Sequence, residues 1–472
     1  MRLVSFALVF SSVCAFAAAP DWSRFRGPNG AGTIDAKGMP EEVGKDKNVL
    51  WRIDLKPGFS SPVLGNKCVY VSSHADNKKA YAACIDRQTG KLLWEKELFE
   101  NTKPFPKVNT IVSSTPVTDG KNVYFFFEHL GLIGLDENGA ELWRVPMEGF
   151  TNPYGMANSP ILVGSKVILQ ADQDLGAFLL AVDAKTGKQL WKVERPDVQH
   201  SYSTPIVYKP KSGPEQLIVS APYKLVGYST ANGERLWWVD GMAWQAKSTP
   251  IVSGDMLYVH SWMAGISEIA KVPATMSFED FVKQNDKDGD GKVVASEAPD
   301  KSMAQLWFLF DLNRNKSLDQ PEWEVAQNRD KAQNGLYAIK LGGSGNITSN
   351  VVFKIEKSLP NIPSPLLYRD VLYVLKEGGI LSAYNAKTGD VLKQARIEGA
   401  LEGYFASPVA ADGKIYTISQ PGKLAVIKAG ADWQLLSLAD LGEEGWATPA
   451  IDDSGLYVRT QKALYKFGTA KK

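Results

Sequence analysis

Apolar residues in this chain fall in short runs of strand length, set apart by turn signals. Residues 158–191 show the pattern most fully. Apolar or alternating runs over 160–163, 166–171, 177–182 and 188–191 predict four strands. Gly164-Ser165 predicts the first turn and residues 184–187 the last, with Gly187 free to take positive φ and Asp183 placed for an Asx-turn. Four short antiparallel strands cannot bury both of their faces alone, so such a unit needs neighbours.

The neighbours are imperfect copies. A small residue followed by Pro opens the innermost strand of each at Ser61-Pro62, Thr115-Pro116, Ser159-Pro160, Thr204-Pro205, Thr249-Pro250, Ser364-Pro365, Ser407-Pro408 and Thr448-Pro449. Proline as the first residue of a strand removes no ladder bond. Successive prolines lie 54, 44, 45, 45, 115, 43 and 41 residues apart, so the fifth unit carries about 70 extra residues. The reading is an all-β fold, an eight-bladed β-propeller of four-stranded antiparallel blades, with an insertion in blade five. Residues 49–53 form an apolar run with no blade before it, and it is expected to complete the last blade and close the ring.

An outer turn recurs as Asp86…Thr89-Gly90…Trp94, Asp136…Gly139…Trp143, Asp183…Thr186-Gly187…Trp191 and Gly233…Trp237. A Trp at a fixed repeat position is expected to pack between blades. Blade six keeps Asn385…Thr388-Gly389 but has Lys393 at the Trp position.

The insertion has a different character. Residues 278–285 predict a short amphipathic helix, followed by a stretch that fits an EF-hand loop position by position. Asp286, Asp288 and Asp290 offer carboxylates at loop positions one, three and five, and Gly291 takes the sharp turn. Lys292 offers its carbonyl, and Glu297 closes the shell at position twelve. A second loop begins 25 residues later with Asp311, Asn313, Asn315, the Ser317 carbonyl, Asp319 through water, and Glu322. Lys316 stands where glycine is usual and two carboxamides replace carboxylates, so weaker binding is expected there. Val293 and Leu318 occupy position eight of each loop, where paired loops make a short backbone bridge. Met303, Leu306, Trp307 and Phe310 supply a small shared core. The chain thus predicts an α-helical EF-hand pair that holds calcium in a structural role.

Composition narrows the partners. Lys and Arg total 53 against 52 Asp and Glu, a net charge of +1, which gives no electrostatic case for nucleic acid. Arg2, the apolar run 3–10 and Ala15-Phe16-Ala17 predict a signal peptide over 1–17, cleaved before Ala18, and hence a periplasmic or secreted protein. The run is too short to span a bilayer, and no later segment is long and apolar enough to do so. Cys14 has Val13 before it where a lipoprotein signal wants a small residue. The mature chain keeps Cys68 and Cys84. A hairpin centred on Asp76 sets them opposite each other, as a disulfide or as two buried thiols. Residues 18–48 form a turn-rich leader that caps the propeller. Blades occupy 49–262 and 334–472, and the insertion 263–333.

Propellers bind ligands around the axis, where segments run into the innermost strands. The residue three before each Pro gives a ring: Phe59, Ser113, Ala157, Tyr202, Lys247, Ile362, Phe405 and Trp446. Phe59, Tyr202, Lys247, Phe405 and Trp446 are its candidate ligand-binding members, suited to an apolar, peptide-like or flat ligand or else to plugging the channel.

The Asp-x-x-Thr-Gly-x-x-x-Trp turn, the eight small-residue-Pro starts and the leader Trp22-Ser23-Arg24-Phe25-Arg26-Gly27-Pro28 resemble the exported PQQ-binding-like β-propeller repeat proteins over nearly all of the mature chain. The resemblance implies one of two functions. One is a quinoprotein dehydrogenase, using PQQ and an active-site calcium to oxidise alcohols or sugars. The other is a protein-binding propeller like that of the outer-membrane β-barrel assembly machinery. An enzyme needs a base carboxylate, calcium ligands and cations for the quinone's carboxylates around the axis. The ring supplies Lys247 and no carboxylate, although Asp197, Glu402, Glu443 and Glu444 are near in sequence. No Cys-Cys pair or Cys-x-x-Cys-His is present. The expectation is an exported calcium-binding scaffold for envelope or extracellular proteins. A PQQ-dependent dehydrogenase is the alternative, with PQQ possible but not favoured.

Overall fold

The computed structural model describes residues 22–103, 105–106, 108–147, 149–263, 272 and 275–469. The expected signal peptide lies outside these residues, as does part of the insertion's opening segment. Eight antiparallel sheets follow one another along the chain, each opening on an innermost strand just after its small-residue-Pro pair. The strand Val49–Asp54 pairs antiparallel with the last strand, Ala463–Phe467, so both ends of the chain share the eighth blade. That pairing joins the two ends without leaving an open seam.

Blade three has strands Ile161–Val163, Lys166–Ala171, Phe178–Asp183 and Gln189–Glu194. The outer turn works as scaffold. The Asp183 carboxylate accepts from Thr186 N at 2.9 Å and from Thr186 Oγ1 at 2.8 Å. Gly187, at φ 70°, lies against the ring of Trp143 from blade two, whose Nε1 donates to Ala184 O at 2.8 Å. A Cβ on Gly187 would come within 2.8 Å of that ring, which is why glycine stands there. Trp94 meets Gly139, Trp51 meets Gly90 and Trp191 meets Gly233 in the same way, so these four outer-strand Trp residues seal against the next blade's turn. Lys393 keeps the contact by other means. Its Nζ sits 4.8 Å from the Trp433 ring of blade seven and donates to Trp433 O at 2.7 Å.

Two expectations need correction. Blade four carries a fifth, parallel strand, Gly345–Asn346, which extends from blade five onto Trp237 and Trp238. Two residues with no apolar side chain give no strand signal in sequence. In blade one the hairpin is centred on Asn77, because Asp76 and Asn77 both take positive φ in a three-residue turn. Cys68 therefore faces Asp86 and Cys84 faces Tyr70. The two cysteines sit diagonally, with Cα atoms 5.3 Å apart, and are joined as a disulfide.

The leader crosses the axis of the ring. Trp22 O accepts from Leu64 N of blade one at 2.9 Å, and Ser23 O from Thr118 N of blade two at 2.8 Å. Asn29 exchanges two bonds with Val207 of blade four, Arg26 Nη2 reaches Pro365 O of blade six at 2.7 Å, and Gly32 O accepts from Ala410 N of blade seven at 2.8 Å. Arg24 and Arg26 are buried, and with no carboxylate beside them desolvation pulls each guanidinium down to about 9.

Between Met256–Ser261 and Gly335–Lys340, adjacent strands of blade five, the chain forms helices Phe278–Asn285, Lys301–Gln305 and Gln320–Asp330. Phe281, Val293, Met303, Trp307, Phe310, Leu318 and Trp323 make their core. The last helix rests on the axial face, where Val325 packs with Tyr223 and Trp244, and the Arg329 guanidinium lies 5.5 Å from the Trp244 ring. Among the described residues no helix is long and apolar enough to cross a membrane.

Candidate functional site

The axial cavity is built from the segments that lead into the innermost strands. Sequence periodicity brings equivalent positions to equivalent places around the ring. The small residues before each Pro do more than permit a tight start, because their hydroxyls link the blades. Ser61 N donates to Thr115 Oγ1, Thr115 N to Ser159 Oγ, Thr249 N to Ser364 Oγ, Ser364 N to Ser407 Oγ, Ser407 N to Thr448 Oγ1 and Thr448 N to Ser61 Oγ, each at 3.0 Å. Around blades two to five the preceding residues add links: Ser114 Oγ to Asn158 O at 2.8 Å, Asn158 Nδ2 to Ser203 O at 3.0 Å, and Ser203 Oγ to Ser248 O at 2.8 Å. Buried N–H groups are thus satisfied by the next blade. The repeated Ser/Thr was visible in sequence, but its role appears only once the ring closes.

Above this belt lies a cavity of about 430 Å³. Phe59, Ser113, Ala157, Tyr202, Lys247, Ile362, Phe405 and Trp446 all line it, so one ring position per blade faces the same space. Trp446 stacks between Phe405, with centroids 4.3 Å apart, and Phe59, at 4.5 Å, forming one aromatic wall. Tyr202 and Tyr154 form the opposite side, with ring centroids 6.3 Å apart. Phe25 from the leader, Gln245 and Asn361 also line the cavity and were not singled out by sequence.

Lys247 is the one charged side chain among the described lining residues. Its Nζ donates to Asn361 Oδ1 at 2.6 Å. Burial draws its ammonium down to about 8, with Glu377, behind Asn361, pulling weakly the other way. His260, buried in the adjoining strand, is driven to about 3 by burial and then by the Lys247 and Arg26 charges, so it is neutral. None of the four carboxylates near in sequence lines the cavity, and Glu444 reaches it only through Trp446. Asp197 binds Lys224 at 3.0 Å and Arg235 at 2.9 Å, Glu402 binds Lys423 at 2.6 Å, Glu443 binds Arg52 at 3.2 Å, and Glu444 accepts from Trp446 Nε1 at 2.9 Å.

A second group of candidate residues lies in the helical insertion. Carboxylate oxygens of Asp286, Asp288 and Asp290 lie within 4.8 Å of one another. Glu297 curls back to accept from Lys287 N at 2.9 Å and Val294 N at 3.1 Å, and Glu322 accepts from Leu312 N at 2.8 Å and Asp319 N at 3.0 Å. The two loops share a backbone path. Gly289 and Gly291 have φ of 78° and 81°, and Arg314 and Lys316, at the matching places, have 57° and 76°. Leu318 N donates to Val293 O at 2.9 Å, which joins the loops side by side. Asp311 is 8% exposed, and its Oδ1 has no hydrogen-bond partner.

The family described as "Outer membrane protein assembly factor BamB" (PQQ_2) matches residues 43–272, 177–298 and 352–468, well over half of the sequence. The chain belongs to this family. Among curated relatives, outer membrane protein assembly factor BamB of Shewanella oneidensis is 21% identical over 364 residues, 73% of this chain and 78% of that protein. The dehydrogenase subunit of a quinone alcohol dehydrogenase from Gluconobacter oxydans is 30% identical over 167 residues. That match covers 32% of this chain and only 21% of the dehydrogenase subunit. In structure, BamB from Moraxella catarrhalis superposes with a TM-score of 0.56 at 12% identity, over 90% of this chain and 98% of that one. Quinohemoprotein alcohol dehydrogenase from Comamonas testosteroni gives 0.57 at 14% identity, over 97% and 82%. At such identities the structural likeness establishes the family's propeller fold and leaves the chemistry to the site.

Proposed function

We infer that this propeller is a binding scaffold of the cell envelope, that the axial cavity receives a segment of its partner, and that the helical insertion is a calcium-loaded EF-hand pair. The observation that carries the first part is the cavity's composition: aromatic walls, a belt of Ser and Thr side chains, one lysine, and no carboxylate among the described lining residues. Apolar pockets with a few fixed polar groups hold peptide-like or flat ligands, and Lys247 suits one acidic group on that ligand. The relative named as an outer membrane protein assembly factor supports a protein partner and an envelope location.

The quinoprotein relatives keep a second reading in view, a PQQ-dependent dehydrogenase. The donor set around the cavity does not fit that cofactor with its calcium. Among the described lining residues a single lysine faces it, and none carries a carboxylate to ligate a metal or accept a proton. Titration of the purified protein with PQQ and calcium, followed by a dye-linked assay on alcohols and sugars, separates the readings. Stoichiometric PQQ binding with turnover would sink the scaffold reading. Retention of envelope proteins by the immobilised wild type, lost on Trp446→Ala, is the expected result.

Calcium is supported by three convergent Asp carboxylates, by the matching second loop and by the unpartnered buried Oδ1 of Asp311. The donors are those that a hard cation takes: carboxylates of Asp286, Asp288, Asp290 and Glu297 with the Lys292 carbonyl, then Asp311, Asn313, Asn315, the Ser317 carbonyl, Asp319 and Glu322. Asp286→Ala combined with Glu297→Ala is expected to remove one calcium from the stoichiometry measured by titration calorimetry, and an unchanged stoichiometry refutes the assignment.

A further inference from the structure

The hydroxyls that link the blades are engaged on one side only. Ser364, Ser407, Thr448, Ser61, Thr115 and Ser159 follow one another from blade six round to blade three. Each is buried, each accepts a backbone N–H at 3.0 Å, and all six line the axial cavity. None of these hydroxyls donates to an acceptor among the described residues, so their protons are left for whatever occupies the cavity. A hydroxyl that already accepts an N–H is polarised toward donating.

Two cations lie at the blade-six end of this arc. Lys247 Nζ donates to Asn361 Oδ1 at 2.6 Å, and both residues line the cavity. Thr249, two residues after Lys247, gives its N–H to Ser364 Oγ. Arg26 reaches the carbonyl of Pro365, the residue after Ser364, at 2.7 Å, while its Nε and Nη1 have no partner. Both charges act on buried His260, which places them near one another. Apolar surface adjoins the donors. Phe405, Trp446 and Phe59, stacked in one wall, stand two residues before Ser407, Thr448 and Ser61.

We propose that the axial cavity is a carboxylate site, in which Lys247 and the blade-six end of the hydroxyl arc take the oxygens of an acidic group whose apolar part lies on the Phe405, Trp446 and Phe59 wall. The inference rests on the reading of the cavity as the place that receives a partner's segment, and it names what that segment carries: an acidic group beside an apolar or aromatic one. A carboxylate brings about four lone-pair sites to a floor of donors. A ligand without acceptors would displace water from the same hydroxyls and from the ammonium and leave them unpaired.

Saturation-transfer NMR on the full chain at pH 7 tests this, with indole-3-acetate and its neutral amide, indole-3-acetamide, as probes. Wild type is expected to bind the acid at least about tenfold more tightly than the amide. Lys247→Met lowers the acid to the level of the amide and leaves the amide where it was, whereas Trp446→Ala weakens both. Release of retained envelope proteins from the immobilised wild type by the acid, and not by the amide, puts the carboxylate on the partner. Equal binding of acid and amide, an acid affinity indifferent to Lys247→Met, or no acid binding up to about 10 mM overturns the carboxylate site and leaves the scaffold reading to its own retention experiment. Acid binding that releases no retained protein overturns the partner as the source and assigns the site to a free small carboxylate. Acid binding by a protein that retains no envelope protein at all removes the scaffold reading and leaves the carboxylate site standing.

Discussion

Replacing Lys247 by Met is expected to stabilise the protein while emptying its cavity of charge. The ammonium sits in the cavity wall with one neutral partner, Asn361, and no adjoining carboxylate; Glu377 acts only from behind that partner. Desolvation draws it from 10.5 to about 8, so keeping it charged in the folded state costs about 3 kcal/mol at neutral pH. Met fills similar volume without charge and forgoes the bond to Asn361, worth about 1 kcal/mol. The net gain is about 2 kcal/mol. Because the folded value lies below the unfolded one, the cost is fully present below about 8 and is relieved as pH rises toward 10.5. Wild-type stability therefore climbs through that window, and the contribution of this residue is absent in Lys247→Met. His260, already neutral, does not titrate there, and the buried guanidiniums of Arg24, Arg26 and Arg459, each lowered to about 9, are common to both proteins, so the difference between the two rises reports Lys247. Urea denaturation of both proteins at pH 7 and pH 9.5 is the assay. A variant no more stable than wild type at pH 7, or one that keeps the full wild-type rise, refutes the reasoning.

Thr115→Val removes the acceptor for Ser61 N and leaves a buried N–H unsatisfied, so it is expected to lower stability by about 1–3 kcal/mol. Thr115→Ser restores the bond, and equal unfolding midpoints for the two variants would contradict the belt of interblade bonds. Gly187→Ala places a Cβ 2.8 Å from the Trp143 ring at a φ of 70° and is expected to cost at least about 1 kcal/mol, read as a drop in Tm by circular dichroism. An unchanged Tm counts against the seal between blades two and three.

Much of the architecture could be read from period and punctuation. The spacing of small-residue-Pro pairs gives the blades because each blade must begin at the axis in the same way, and Phe278–Asn285 is a helix over the residues that the pattern predicts. The cavity ring was legible for the same reason, since equal offsets from each Pro become equal heights in the channel. What escaped depends on contacts between distant segments. Nothing near Asp174 announces that it shares a cavity wall with Asn313 and Asp319 of the insertion, and Phe25 reaches the axial cavity only because the leader runs beneath it. The disulfide register was missed for a local reason: two consecutive positive φ values at Asp76 and Asn77 move the hairpin centre by one residue, and side-chain pattern does not report φ.

The leader's path sets an order of events for a chain made from its N-terminus. Its partners include Pro365 and Ala410, and the strand that follows it pairs with Ala463–Phe467. Trp22 and Ser23 can bond blades one and two early, but the leader's bonds to blades six and seven and the strand pairing at Val49–Asp54 can form only after most of the chain has emerged. Arg26, whose guanidinium reaches Pro365 O, can take its place in the core only once blade six is present. The closed ring is then latched from the inside by the leader.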